Sequence, residues 1–238
     1  MRLFLAESEV FTALRGFLLT CVPANTEVIR GQDNRVPMPI GDNFITMIPI
    51  LKSSRFGNLT EYFDCLLDGS ISTSVEGVTT LLVSTLHYGE IKIGAQIFGE
   101  GVADNTIVVE QLAPDQFVVS VAQTLPLTIN MAAGTKEFYT PTEMTVQLDV
   151  HGSDAANLSQ IIITTMRDIY VSEVFSTFGI PAYPLYANDP KQIAFSSSEQ
   201  QISSRWVIDV TLQINAIVMI GQQFFDKTQT TVTNAQTI

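Results

Sequence analysis

Glu143-Met144-Thr145-Val146-Gln147-Leu148-Asp149-Val150 alternates without a break. Met144, Val146, Leu148 and Val150 fall on one face, and Glu143, Thr145, Gln147 and Asp149 on the other. Period two is the signature of a strand with one buried side. His151-Gly152-Ser153-Asp154 reads as the turn that follows, with Ser153 or Asp154 as an N-cap. The spacing then predicts one helix to about Phe175. Leu158, Ile161, Ile162, Thr165 and Ile169 mark one face, and Met166, Tyr170 and Val174 widen it. A helix apolar around so much of its circumference is buried on two sides, one of which could face another subunit. Gly179 and Pro181 end it.

Downstream, Tyr183 to Pro190 reads as a Tyr- and Pro-rich loop. A long last strand follows, with Trp206, Ile208, Val210, Leu212, Ile214 and Ala216 on one face. Trp206 is expected in the core. From Gln222 the chain is polar and rich in Gln and Thr, and 222–238 reads as an arm. Upstream, 6–22 reads as an amphipathic helix through Val10, Phe11, Leu14, Phe17, Leu18 and Cys21, stopped by Pro23. Glu27 to Arg30 is a short β-prone run before a Pro- and Gly-containing loop over 31–41. Phe44 to Leu51 reads as a strand in which Pro49 marks an edge or a bulge.

Between about Gly69 and Gly134 the texture changes. Ser, Thr, Gly and Val dominate, and β-prone runs recur at 81–86, 90–98, 105–112, 116–122 and 127–131. Turn signals separate them, at His87-Tyr88-Gly89, Gly99-Glu100-Gly101 and Ala113-Pro114-Asp115. The expected fold class is therefore α+β: a mixed or antiparallel sheet flanked by helices and interrupted by a small all-β insertion. The expected boundaries are 1–68 with 135–221 for a discontinuous core, 69–134 for the inserted module and 222–238 for the arm. Long insertions at loop tips carry little entropic penalty.

Composition narrows the function. The 238 residues include 12 basic and 24 acidic side chains, for a net charge of −12. Charged residues make up 15%, against about 25% in an average domain, and mean hydropathy is +0.25. The sign of the charge excludes a general basic nucleic-acid binder. No run of 18 apolar residues exists to suggest a spanning helix. The start of the chain lacks the long apolar region of an export signal. Scarcity of charge fits a protein lying between other subunits. The net charge divides as −2 for 1–68, −5 for 69–134 and −5 for 135–238, so nearly half of the acidity belongs to the module. Cys21 and Cys65 read as reduced, buried thiols in a reducing cytoplasm.

Catalytic signatures are missing. His87 and His151 have no Cys, His or Glu at ligand spacing and read as surface or turn histidines. No phosphate-binding Gly loop and no Gly-x-Ser-x-Gly elbow occurs. Asp64 and Asp68, placed on one face of a helical turn, are read as a solvated pair rather than an acid–base dyad. No enzyme, cofactor or metal is expected.

Three segments carry a resemblance. The first runs Ile29-Arg30-Gly31-Gln32-Asp33-Asn34-Arg35-Val36-Pro37-Met38-Pro39-Ile40-Gly41. The second is Thr140 to Gly152, continuing into Ala156-Asn157-Leu158-Ser159-Gln160-Ile161-Ile162 and Arg167-Asp168. The third is Pro184-Leu185-Tyr186-Ala187-Asn188-Asp189-Pro190-Lys191-Gln192, followed by Glu199-Gln200-Gln201 and Arg205-Trp206. In order and spacing they resemble the neck terminator proteins of tailed bacteriophages, outside 69–134. The module, through Gly89 to Gly94, Ile97 to Val102 and Phe117 to Thr124, resembles small β inserts of phage virion proteins.

The resemblance implies a structural protein of the virion neck, assembled in the host cytoplasm. It implies a homo-oligomeric ring, usually a hexamer, that terminates the tail tube. The implied partners are the tail tube protein, the head-side connector and the sheath, with no membrane. DNA passes through the channel without specific binding, and an acidic lining suits that passage because it repels phosphates. Arg30, Arg35, Pro37, Asp189 and Arg205 are the candidate intersubunit or connector contacts. Solvated loop charges are the alternative for Arg30 and Arg35, and a local turn former for Asp189. A second function also stands: a baseplate- or fibre-associated binding protein whose β insert recognises cell-surface glycan.

Overall fold

A computed structural model describes residues 2–31, 39, 41, 43–54, 57–193, 195–196 and 202–223. The element order is β1 (Arg2–Phe4), α1 (Glu7–Cys21), β2 (Glu27–Arg30), β3 (Phe44–Ser54), β4 (Leu59–Thr73), β5 (Thr79–Tyr88), β6 (Gln96–Gly99), β7 (Val108–Ala113), β8 (Gln116–Val119) and β9 (Leu125–His151). Then come α2 (Ala155–Met166), α3 (Ile169–Ser176), β10 (Ala182–Ala187), β11 (Lys191–Gln192), β12 (Phe195–Ser196), β13 (Ile202–Ser203) and β14 (Arg205–Gly221). The chain divides into two compact units. One comprises 3–59 and 139–217, the other 1–2, 60–138 and 218–238.

In the first unit, β2 runs parallel to β3, and β3 runs antiparallel to β9 from Phe44↔His151 to Ser54↔Thr142. Strand order continues through β14 to β10, also antiparallel. Pro49 sits at a register shift, because a residue without an N–H interrupts the ladder. The three helices bury one face each against this sheet. Phe11, Leu14, Phe17 and Leu18 of α1 meet Leu158, Ile162 and Met166 of α2 and Phe175 of α3. All of these pack on Met144, Val146, Leu148, Val150, Ile208, Val210 and Leu212. The alternation read in 143–150 and in the last strand is thus the core alternation.

The second unit contains no helix among its described residues. Its strand order is β9, β4, β5, β8, β7, with β6 also paired to β9. A separate core gathers Cys65, Leu67, Ile71, Leu81, Ile97, Val108, Phe117, Val119 and Met131. At the outer strand β7 the register against β8 shifts twice, at Val108/Glu110 and at Gln111/Ala113.

Several expectations are corrected. Among the described residues the balance is mostly antiparallel sheet, with 55% in strands and 18% in helices, so the α+β description holds only loosely. Leu59–Thr73, the segment of Asp64 and Asp68, is a strand and not a helical turn. The run 90–98 is a strand only over Gln96–Gly99, because Gly89 and Gly94 take positive φ and turn the chain. The runs at 127–131 and 143–150 belong to one strand, β9. Pro141, inside this strand, falls just past the last β3 partner, Thr142, and so costs no bond in that ladder. The helix expected over 153–175 is two helices, since Asp168 accepts from Tyr170 N at 2.9 Å and caps a new one. Tyr183 to Ala187 is strand rather than loop. Trp206 is only partly buried against the core.

Cys21 and Cys65 are free thiols. Cys65 is buried, and desolvation pushes its thiol up to about 11. No helix among the described residues is long and apolar enough to cross a membrane.

Candidate functional site

The candidate contact residues lie in the helical unit by sequence position. Arg35 and Pro37 fall outside the described residues. The other three are not brought together as neighbours. Arg30 ends the outer strand β2, while Arg205 opens β14, with β3 and β9 between them in the strand order. Asp189 follows β10, on the other side of β14.

Each of the three already uses its charge within the chain. The Arg30 guanidinium bonds the Glu7 carboxylate and lies 4.5 Å from the Phe11 ring centroid. Lys52 bonds the other oxygen of the same carboxylate. One anion thus serves two cations. The Lys52 hydrogen bond foremost, with the charges of Lys52 and Arg30, holds the Glu7 carboxyl below its ordinary value, against a smaller burial effect.

Asp189 accepts from Arg167 Nη2 at 2.8 Å. Arg167 also donates from Nε and Nη2 to Ala187 O, at 3.2 and 2.9 Å. The break between α2 and α3 is what positions Arg167 for this fork. A planar guanidinium reaching one carbonyl twice orients the end of β10. Asp189 itself is exposed, so the pair is a positioning contact worth little stability.

Arg205 donates from Nη2 to Asp149 Oδ2 at 2.5 Å. Gln147 Nε2 donates to Asp149 Oδ1 at 2.7 Å. Asp149 is 4% exposed, although alternation alone put it on the solvated face. His151 is also buried, which corrects its reading as a surface or turn residue. Nothing in residue type or spacing marked Glu7, Asp149 or Arg167 as partners, because each pairing crosses between elements distant in sequence. His87 fits the surface reading: it is exposed and meets Asp68 Oδ2 at 2.9 Å.

A different surface is poor in charge. Helix α2 has no charged residue from Ala155 to Met166. Ile161, Ile169, Tyr170 and Phe178 are exposed on or beside the two helices, as are Tyr183, Leu185 and Tyr186 on β10. Scattered apolar exposure is ordinary, but a helix surface without charge is the composition of an interface core. Among the described residues no group of three or more His, Cys, Asp or Glu side chains could hold a metal ion.

The geometry offers positioning ion pairs and an uncharged helix face, and the comparisons agree with a structural role. No curated protein matches the sequence. The family model described as phage neck terminator protein matches residues 102–236. The second and third of the segments quoted above lie inside that span, and the first lies outside it. The match begins within 69–134, so it takes in β7, β8 and the start of β9 together with the helical unit's later elements. Because it spans more than half of the chain, the resemblance is borne out: this chain belongs to the phage neck terminator protein family, structural proteins of the virion neck.

Proposed function

We propose that the chain assembles into a ring at the head–tail neck, terminates the tail tube and joins it to the head-side connector. The DNA passes through the ring without being bound specifically. The observation that carries this reading is the family match over 102–236. The uncharged surface of α2 supports it, with Ile161, Ile169 and Tyr170 exposed nearby. A ring of identical subunits needs two different flanks, and such flanks are weakly charged where they meet.

Arg30, Asp189 and Arg205 act in this reading as residues that hold contact surfaces in shape, with Arg35 and Pro37 in the connection between β2 and β3. Arg30 and Asp189 keep enough exposure to reach a partner as well. The module expected over 69–134 decorates the ring exterior. Its acidity then repels other anionic surfaces instead of lining the channel.

Native mass spectrometry of the purified chain tests the reading. The expected result is a six-fold ring, or a monomer that becomes a ring on addition of tail tubes. A stable trimer, or a monomer indifferent to tubes, would overturn it.

A further inference from the structure

The second unit holds a cleft that its strand lengths create. Strand β8 pairs with β5 only from Thr80↔Val118 to Leu82↔Gln116. There the β7–β8 hairpin ends in its turn, Pro114-Asp115, and Val83 N donates to Asp115 O at 2.8 Å. Strand β5 runs on to Tyr88 with β4 on one side and, among the described residues, no strand on the other. Gly89, at φ 75°, then turns the chain, and Glu90 and Ile91 supply a third wall. The cleft left between these walls measures about 420 Å³, within the roughly 300–1,000 Å³ typical of ligand sites.

Its floor is apolar. Phe117 is 3% exposed and belongs to the core of the unit, and Val83 and Ile91 pack against that core. Its rim is acidic. Glu90 and Asp115 line it, and among the described residues no basic side chain does. Asp115 is exposed, and its carboxylate has no hydrogen bond or ion pair among the described residues. Glu90 comes no nearer than 3.6 Å to Lys92 Nζ, and that ammonium already donates to Glu137 at 3.0 Å. Gln111 adds an amide oxygen to the rim.

These walls exclude two occupants. An added strand needs a regular edge, and β5 shifts register at Ser84 and again at His87. An anion, nucleic-acid phosphate included, would meet two carboxylates and no cation. A cation on an apolar stem matches both the floor and the rim. We propose that the cleft takes an arginine side chain presented by another protein. The aliphatic stem covers Phe117, Val83 and Ile91 while the guanidinium turns to Glu90 and Asp115. Arginine suits the cleft better than lysine. Its planar head is weakly hydrated, and it offers five donors to a rim rich in acceptors. The inference concerns the second unit alone and does not rest on the ring reading.

Methyl NMR of the full chain, labelled at Ile, Leu and Val, tests it. The probe is acetyl-arginine-amide, with acetyl-citrulline-amide as its uncharged isostere. The arginine probe should shift the methyls of Val83, Leu86 and Ile91 saturably. It should bind about fivefold more tightly than the citrulline probe, the scale of one exposed ion pair. Asp115→Asn and Glu90→Gln should each weaken it about threefold, and added salt should weaken it in the wild type. No saturable shift at these methyls, equal binding of the two probes, or unchanged affinity in both variants overturns the proposal. Spermidine at equal ionic strength separates the sources of cation. Tighter binding of spermidine than of the arginine probe at the same methyls overturns a protein side chain as the occupant, and weaker binding supports it. Ring assembly is read separately by native mass spectrometry, so its failure leaves the methyl shifts to decide the cleft.

Discussion

Lys92 Nζ donates to Glu137 Oε1 at 3.0 Å, and the same ammonium lies 3.0 Å from the centroid of the Phe63 ring. Glu90 approaches it at 3.6 Å from the exposed side. Glu137 is 5% exposed, and among the described residues Lys92 is the cation its carboxylate pairs with. Removing Lys92 leaves a buried charge unpaired. Lys92→Ala should destabilise the chain by about 2–4 kcal/mol, measured by denaturant unfolding, whereas replacing both partners with apolar residues should come close to neutral.

Gly89 and Gly77 offer a matched comparison. Both take positive φ, 75° and 84°. A Cβ on Gly89 would lie 2.1 Å from the Asp64 carbonyl oxygen, while one on Gly77 would meet nothing within 4 Å. Gly77→Ala should cost about 1–2 kcal/mol, from backbone strain alone. Gly89→Ala should cost clearly more, because backbone atoms must also move. Thermal melting of the two variants checks the order.

Phe17 is fully buried between α2 and α3 residues, whereas Trp206 is only partly so. Phe17→Ala should cost about 3–5 kcal/mol. Trp206→Ala should cost less, about 2 kcal/mol, in proportion to the area it keeps from water. A Trp206→Ala loss as large as that of Phe17→Ala in denaturant unfolding would mean that Trp206 is a core residue.

Glu7 predicts an acid dependence of stability. Its carboxyl is held below the ordinary value of 4.5 by Lys52 and Arg30. The depressed value means that its stabilisation is complete above about pH 4.5 and is lost as pH falls through the folded-state value. Glu7→Gln should flatten the melting temperature over that range, measured from pH 5 to 3. Above pH 5 it should only lower it.

What the sequence disclosed depended on whether the signal was local. The alternation of 143–150 and 206–216, the α1 stripe and the bulge at Pro49 are periodic or punctuated, and all were legible. The single strand from Leu125 to His151 was not, because the run at 127–131 and the alternation from Glu143 read as separate strands on either side of a module boundary at Gly134. Gly134 lies opposite Gln96 and accepts from Gln222 N at 3.1 Å, a close approach that favours the smallest residue. The helix break at Asp168 was concealed by apolar spacing that runs through it. Of the residues in these intrachain ion pairs, Arg30, Asp189 and Arg205 were singled out by motif as candidate contacts, but Glu7, Arg167 and Asp149 carried no signal. Asp149 carries the plainest lesson, since a polar residue on the polar side of an alternating strand is ordinarily solvated.

The two register shifts in β7 bear on solubility. An outer strand with a regular ladder is a template on which another chain can grow, and a protein made in many copies meets itself often. Six residues interrupted twice, with Glu110 exposed between Val109 and Leu112, present no such template. Deleting one residue to straighten β7 would be expected to turn a well-behaved subunit into one that precipitates on expression.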